Sequence, residues 1–294
     1  MSALIIDMQP LCYRAWAVEE AAAKRANLDE APFHLVVARL TLMAMRLVRT
    51  FAPELGAAVY EGGGDTWRHE LLPTYKDGRP GKPTGLKRLI TESRTLMTLL
   101  GFTCLSVPGE EADDVVASLV AGHKRSKPVV VSSDKDFYQL LNDCLIYDPM
   151  KPPHDGPPDA FPGRMIDARD LYEKFGVSDA RQVIEVQAIA GDLVDRVPGC
   201  RGIGMLGAVR LIQEFKTVEN LYAELDRGGA AVLAPHKLSR YAKPLAEHRA
   251  DVLLSRQLVT LKRTLDVRLH RIVPQPPAAL AAWAQANQLP VGAT

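Results

Sequence analysis

The residues best suited to chemistry are carboxylates, gathered in three short stretches: GEEADD at Gly109–Asp114, SSDKD at Ser132–Asp136 and GDLVD at Gly191–Asp195. Each borders an apolar run. Like charges held together raise one another's pKa and cost stability, and the usual compensation is a bound cation. Clustered oxygen ligands that leave room for water suit Mg²⁺ or Mn²⁺ better than Zn²⁺. Taken singly, each stretch also has a plain structural reading. GEEADD precedes VVASLVAGH and could be acids at a helix start, favoured by the helix dipole. SSDKD could be a strand-to-helix turn with a capping Asp, and GDLVD a solvated turn. The three together, in this order, favour a metal-binding set.

The elements that position these acids can be read from hydrophobic periodicity. ALII (3–6), GAAVY (56–60), FTCLSV (102–107), PVVVSS (128–133) and CLIYD (144–148) read as strands. Residues 33–50, 84–100, 112–123 and DFYQLLN read as helices. Such alternation predicts an α/β domain with a mainly parallel sheet. Asp7 directly follows the first strand and Glu61 the second. Glu111, Asp113 and Asp114 follow the third, and Asp134 and Asp136 the fourth. The carboxyl ends of parallel strands share one edge, where open α/β sheets bind ligands. Four strands therefore deliver acids to a common edge. Asp134 and Asp136, two apart on extended chain, are expected to face one side. Asp192 and Asp195 are expected one helical turn apart.

The chain of 294 residues is long enough for one large or two modest domains. Its 47% hydrophobic and 24% charged content is that of a soluble globular protein. Cys12, Cys104, Cys144 and Cys200 form no CxxC pair, which argues against structural zinc and a disulfide framework and for a reduced, cytoplasmic protein. MSALIIDMQP meets an acid after four apolar residues, too soon for a signal peptide or membrane span. A formal net charge of +1 neither argues for nucleic-acid binding nor excludes it, since a basic groove can be balanced by an acidic metal site.

Residues 149–165, dense in Pro and Gly, predict a linker or exposed loop. Beyond it the pattern becomes helical, over 167–175, 178–190, 203–215 and 217–226 and less regularly to 262. LAAWAQANQ predicts a final helix docked on the body. Between two helical runs, VPGCRGIG places Gly199, Gly202 and Gly204. Glycines allow close backbone approach, and the next helix would point its N-terminus at a phosphate. A tight αα turn is the alternative; the adjoining GDxxD favours the phosphate. In TWRHELLPTYKDGR (66–79), Arg68, His69, Lys76 and Arg79 flank Trp67 and Tyr75. Cations interleaved with aromatics suit phosphates and unstacked bases, although a solvated amphipathic loop would look similar.

The motifs LIID…YRA, TWRHELLPTYKDGRP, VPGEEADDVVASL, VVSSDKDFYQLL and AGDLVDRVPGCRGIG, in this order, resemble the 5′→3′ exonuclease and flap endonuclease family. That family includes bacterial and phage enzymes and the N-terminal nuclease domain of family A DNA polymerases. The resemblance runs from Leu4 to about Val267. It implies a PIN-like (resolvase-like) α/β domain over 1–165, an all-α helix–three-turn–helix DNA-binding domain over 166–265, and a helical tail over 266–294. It implies two divalent ions, Mg²⁺ or Mn²⁺. Asp7, Glu61, Glu111, Asp113 and Asp114 would serve the first, Asp192 and Asp195 the second, with Asp134 and Asp136 between. Lys76 and Arg79 match catalytic cations at the scissile phosphate. Tyr75 matches an aromatic that stacks on a displaced base. Arg68, Arg196 and the 199–204 turn, where K⁺ can sit on backbone carbonyls, would contact DNA.

The implied activity is hydrolysis of DNA phosphodiesters at or near 5′ ends and 5′ flaps. The implied enzyme is a stand-alone monomer acting on flapped, nicked or 5′-ended duplex, with a separate DNA polymerase as a candidate partner and no membrane. A PIN-type endoribonuclease and a non-catalytic DNA-binding homologue are the alternatives. The helical second half argues against the first and the intact acid set against the second. The chain departs from the family pattern at Glu61 (usually Asp), Leu193 and Val194 (usually Ser-Ser), Arg196 (usually Asn), Met205-Leu206-Gly207 (usually Pro-Lys-Thr) and Met8-Gln9-Pro10 (usually Gly-Asn-Ser).

Overall fold

The computed structural model describes residues 2–151 and 163–289. Its centre is a seven-stranded sheet of order β3-β2-β1-β4-β5-β6, with β7 added beside β2. β1 (Ala3–Asp7), β2 (Leu55–Val59), β3 (Thr103–Leu105), β4 (Val129–Val131) and β5 (Leu145–Asp148) run parallel. β6 (Arg164–Met165) and β7 (His270–Arg271) pair antiparallel at β5 and β2. Strand side chains alternate between faces, and both faces are apolar because both are covered. Ile5, Val59 and Val130 enter one core; Leu4, Ile6, Ala58 and Val131 enter the other.

The second of these cores is covered by α1 (Met8–Arg25), α2 (Phe33–Phe51) and, beyond the short α3 (Trp67–Leu71), α4 (Thr84–Leu99). The sequence reading missed α1. Pro10 stands right after the strand, but it falls in the helix's first turn, where its missing N–H costs nothing. The buried stripe of α1, Leu11, Cys12 and Ala15, is too small to mark a strong periodicity. The first core is covered by α5 (Ala112–His123) and by the helical half: α6 (Ala168–Phe175), α7 (Gln182–Ala190), α8 (Met205–Phe215), α9 (Val218–Gly228), α10 (Ala242–Glu247) and α11 (Arg249–Val259). Phe175, Val186, Ile189 and Leu211 join Val115, Leu119 and Phe137 in a single cluster, so the two halves share one core.

The final helix, α12 (Pro277–Ala286), lies against α4, where Trp283 Nε1 donates to Glu92 Oε2 at 3.4 Å. The expected linker falls mostly outside the described residues, and its last part forms β6. Among the described residues no helix is long and apolar enough to cross a membrane.

Candidate active site

The end of β1 sets the first carboxylate. Asp7 caps α1, accepting the Gln9 N–H on Oδ1 at 3.3 Å, and its Oδ2 accepts the Ser132 hydroxyl, just past β4, at 2.9 Å. Because β1 lies between β2 and β4, this is where the winding of the sheet reverses and leaves a crevice. Glu61 follows β2, and its Oε2 accepts the Ala112 N–H at 3.2 Å. Asp113 stands in the first turn of α5. Asp134 caps a 3₁₀ turn over Lys135–Leu140 and accepts the Asp136 N–H at 2.9 Å. Asp134 and Asp136 are therefore on a tight turn rather than extended chain, because the Asp134 side chain captures the following backbone.

Repulsion shows that these acids are neighbours. Burial, then Asp134, push Asp7 up to about 7, with Glu61 adding to the effect and the Ser132 hydrogen bond opposing it. Lost hydration, then Asp134 and Asp7, hold Asp113 well above the usual carboxylate range. Lost hydration, then Asp134, push Asp136 up to about 6, although Gln187 Nε2 donates to its Oδ1 at 2.6 Å. Among the described residues no three His, Cys, Asp or Glu side chains close on one another as a finished metal shell. Lysines and arginines draw several of the acids aside. An all-carboxylate donor set under mutual repulsion is what a hard divalent cation relieves, so these residues fit such an ion.

The other predicted acids are bound to basic side chains. Asp114 is fully buried and holds Arg68 in a fork, with Oδ2 2.7 Å from Nη1 and Oδ1 2.9 Å from Nη2. It also accepts from Trp67 Nε1 and from the Lys262 N–H. Arg68, 1% exposed, further donates to Glu111 Oε2 at 3.0 Å and to the carbonyl oxygens of Leu258 and Thr260. The sequence reading gave Arg68 to DNA; in the structure it is an internal tie between the acid loop and the helical half. Tyr75 differs in the same way. It is 5% exposed, donates its hydroxyl to Glu111 at 3.3 Å and meets His69 edge-on, so its ring offers no face to a base. Exposed aromatic surface comes instead from Tyr13, paired with Trp16 at 5.8 Å on α1, a helix the sequence reading did not register.

Lys76 Nζ donates to Glu111 Oε1 at 2.6 Å. Burial works against its charge, but Glu111 outweighs burial and its pKa is raised. Its backbone, in the left-handed region at φ 57°, donates its N–H to the Asp195 carbonyl at 3.1 Å and so ties the basic segment to the 191–199 turn. Arg79 pairs with Asp195, and Lys135 with Asp192. Burial alone would raise Asp192, but Lys135 brings it below its ordinary value. Asp192 and Asp195 do not lie on a helix. A tight turn closed by reciprocal backbone bonds between Asp192 and Val197, at 3.0 and 2.8 Å, holds them. Lys135 and Gln187 were missed as partners because their contacts join distant parts of the chain.

The three glycines differ in what they do. A Cβ on Gly199 would meet the Gly191 backbone nitrogen at 2.5 Å, so this glycine lets the turn close on itself. Gly202 sits at φ +89° and needs glycine for its conformation. Gly204 caps α8 with open space where its side chain would be. Arg196 is exposed, with Nη1 4.0 Å from Asp77. Leu193 and Leu206, beside this turn, are 96% and 83% exposed, so large apolar side chains stand next to the exposed Arg196 and Arg201. Two clefts meet at Pro10, Arg79 and Ser133: one of about 840 Å³ reaches Glu61, Lys76 and Glu111, the other of about 410 Å³ reaches Asp134, Asp136, Asp192 and Asp195.

This fold is that of a two-part nuclease, and comparison with known proteins agrees. Residues 2–176 match the 5′–3′ exonuclease N-terminal resolvase-like domain, and residues 178–278 match the 5′–3′ exonuclease C-terminal SAM fold. The chain belongs to the 5′–3′ exonuclease family. It is 33% identical over 229 residues to the flap endonuclease Xni of Pectobacterium carotovorum, covering 76% of this chain and 79% of that one. It is 32% identical over 269 residues to the thermostable DNA polymerase I of Thermus thermophilus, covering 90% of this chain and 29% of the polymerase. A solved structure of similar fold is a variant of the bacteriophage T5 D15 flap endonuclease in a pseudo-enzyme–product complex with DNA and metal ions. Its TM-score is 0.65 at 22% identity, covering 89% of this chain and 90% of that one.

Proposed function

We propose that this protein is a structure-specific 5′ nuclease that hydrolyses DNA phosphodiesters at or near 5′ ends and 5′ flaps with divalent ions, Mg²⁺ or Mn²⁺. The observation that carries this reading is the row of mutually repelling carboxylates at the winding reversal of the sheet, beside and partly lining the clefts that Lys76 and Arg79 also line. Asp7, Glu61, Asp113 and Asp134 would hold one ion and Asp136, Asp192 and Asp195 the other. Bound there, such ions would supply an activated water and stabilisation of the leaving 3′ oxygen. Glu111 and Asp114 serve by fixing the cations: Asp114 locks Arg68, and Glu111 aims Lys76. Lys76 would neutralise charge growing on the scissile phosphate. Arg79 and Lys135 act as counter-charges for Asp195 and Asp192.

Tyr13 and Trp16 offer ring faces to an unpaired base. Gly204 and the N-terminus of α8 would take a phosphate of the duplex, with K⁺ on the carbonyls of the 199–204 turn. The DNA complex of the T5 neighbour supports a DNA substrate. Four free cysteines fit a reducing, cytoplasmic setting. The enzyme would act as a monomer beside a separate polymerase, a pairing suggested by the Thermus relative, which carries this region within a polymerase.

The test is cleavage of a 5′-flap DNA in Mg²⁺ and then in EDTA, with Asp113→Asn beside the wild type. Cleavage should require the ion, and Asp113→Asn should abolish it while DNA binding survives. Near wild-type turnover of Asp113→Asn in saturating Mg²⁺ would reject the assignment.

A further inference from the structure

The turn that holds Asp192 and Asp195 is tipped by two side chains that the fold does not use. Leu193 is 96% exposed and Val194 69% exposed. Single apolar residues on a surface are ordinary. These two are consecutive and stand between two carboxylates, and Val194 lines the cleft of about 410 Å³ together with Asp134, Asp136, Asp192 and Asp195.

The tip is firmly held. Reciprocal backbone bonds join Asp192 and Val197, and the Val194 N–H donates to Asp192 Oδ1 at 2.9 Å. The Lys76 N–H donates to the Asp195 carbonyl from the other side. A rigid turn therefore holds two bare aliphatic side chains out from the acid cleft, and covering them with something apolar would be favourable.

Position and chemistry limit what can cover them. Leu193 adjoins Asp192 and Val194 adjoins Asp195, and neighbouring Cα atoms are about 3.8 Å apart. A phosphate drawn to these acids through an ion brings its attached sugar onto the tip. The phosphate itself gains nothing from a leucine or a valine. The deoxyribose does, because its C2′ carries only hydrogens. Ribose differs at that atom: its 2′-hydroxyl is both donor and acceptor, and packing it on Leu193 or Val194 strips its water without returning a partner. The Ser-Ser of the family pattern would supply such a partner; Leu193 and Val194 cannot.

We infer that Leu193 and Val194 pack on the sugar beside the cut and make the enzyme select deoxyribose over ribose there. This inference rests on the nuclease reading above.

The test is single-turnover cleavage, in Mg²⁺ at one fixed salt, of an all-deoxy 5′ flap and of the same flap with one ribonucleotide on either side of the cut. Leu193→Asn combined with Val194→Thr is the main variant, since it keeps the side chains' sizes and changes their polarity; their exposure means that folding does not depend on them. Leu193→Met keeps the apolar character. Leu28→Ser changes a residue 49% exposed beyond the end of α1 and controls for apolar surface lost elsewhere. The wild type should cut the all-deoxy flap about tenfold faster than the flap with ribose at one of the two positions, the worth of one buried hydroxyl without a partner. The double variant should bring that ratio near one, while Leu193→Met and Leu28→Ser keep it. Equal wild-type rates on all three flaps, or an unchanged ratio in the double variant, would overturn the inference.

Equilibrium binding of the all-deoxy flap in EDTA gives a second readout. The double variant should bind about tenfold more weakly, with the same slope of affinity against salt because no charge is removed. A changed slope would make the effect electrostatic and overturn the apolar contact. Self-association of the wild type in sedimentation, absent from the double variant, would assign the tip to a second copy of this chain instead. EDTA-sensitive cleavage of the all-deoxy flap reports the nuclease reading separately, so loss of one conclusion does not carry the other with it.

Discussion

Replacing Arg68 with Met separates two roles for this residue. The guanidinium spends its donors inside the protein, on Asp114, Glu111, Leu258 O and Thr260 O. Removing it leaves the fully buried Asp114 and the nearly buried Glu111 without their shared counter-charge. Breaking one partner of a buried ion pair costs about 3–5 kcal/mol. Arg68→Lys keeps a charge but loses the fork to Asp114, at a cost of about 2 kcal/mol. Urea unfolding at neutral pH in EDTA should therefore order the proteins as wild type, Arg68→Lys, Arg68→Met. Arg68→Met combined with Asp114→Leu should lose less than the sum of the single changes, a coupling of roughly 1–3 kcal/mol. A DNA contact would behave differently: Arg68→Met would fold normally and lose affinity with a shallower salt dependence. Wild-type stability of Arg68→Met with weakened DNA binding would refute the internal role.

Lys76→Ala should slow single-turnover cleavage by roughly 10²–10³-fold with a much smaller change in DNA affinity; affinity falling in step with rate would make Lys76 a groove residue. Asp192→Asn with Asp195→Asn should remove one of two Mn²⁺ sites in a titration, and two unchanged sites would reject the division of ligands. Stability in EDTA should fall as pH rises from about 4 to about 7. Over that range Asp7, raised to about 7, is still protonated in the folded chain while the unfolded chain has already lost its proton. Millimolar Mg²⁺ should restore stability more at about pH 8 than at about pH 5, and denaturation midpoints with and without the ion check both signs.

The sheet and the placement of its acids were legible because both rest on local pattern. Short β-rich runs alternate with amphipathic helices, and Asp7, Glu61 and Asp134 each stand next to the end of a strand. The partners of those acids were not legible. Lys135 faces Asp192, and Gln187 reaches Asp136, across 57 and 51 residues of chain; no spacing rule encodes such contacts. The same limit explains Arg68 and Tyr75: charge and aromaticity near a basic segment suggest a ligand, but the burial of Arg68 on the Leu258 carbonyl and of Tyr75 against Val197, Leu258 and Val259 is decided by the other half of the molecule. The two-residue strands β6 and β7 carry no periodicity at all; β6 sits on the free edge of β5, and β7 on the start of β2, which β3 leaves unpaired.

The single core that runs from Val115 and Phe137 through Phe175 to Leu211 has a consequence for how such a chain can be inherited. The family models meet between residues 176 and 178, but among the described residues no apolar seam corresponds to that junction. A recombination event there would ask each half to find a stranger with matching side chains, and would strand Asp114 from the backbone of Lys262. The two halves should thus travel between genomes as one cassette, joined to other activities only at the outer ends. The Thermus polymerase fits that expectation, since it aligns with 90% of this chain, spanning both halves, within a protein more than three times the length of the shared region.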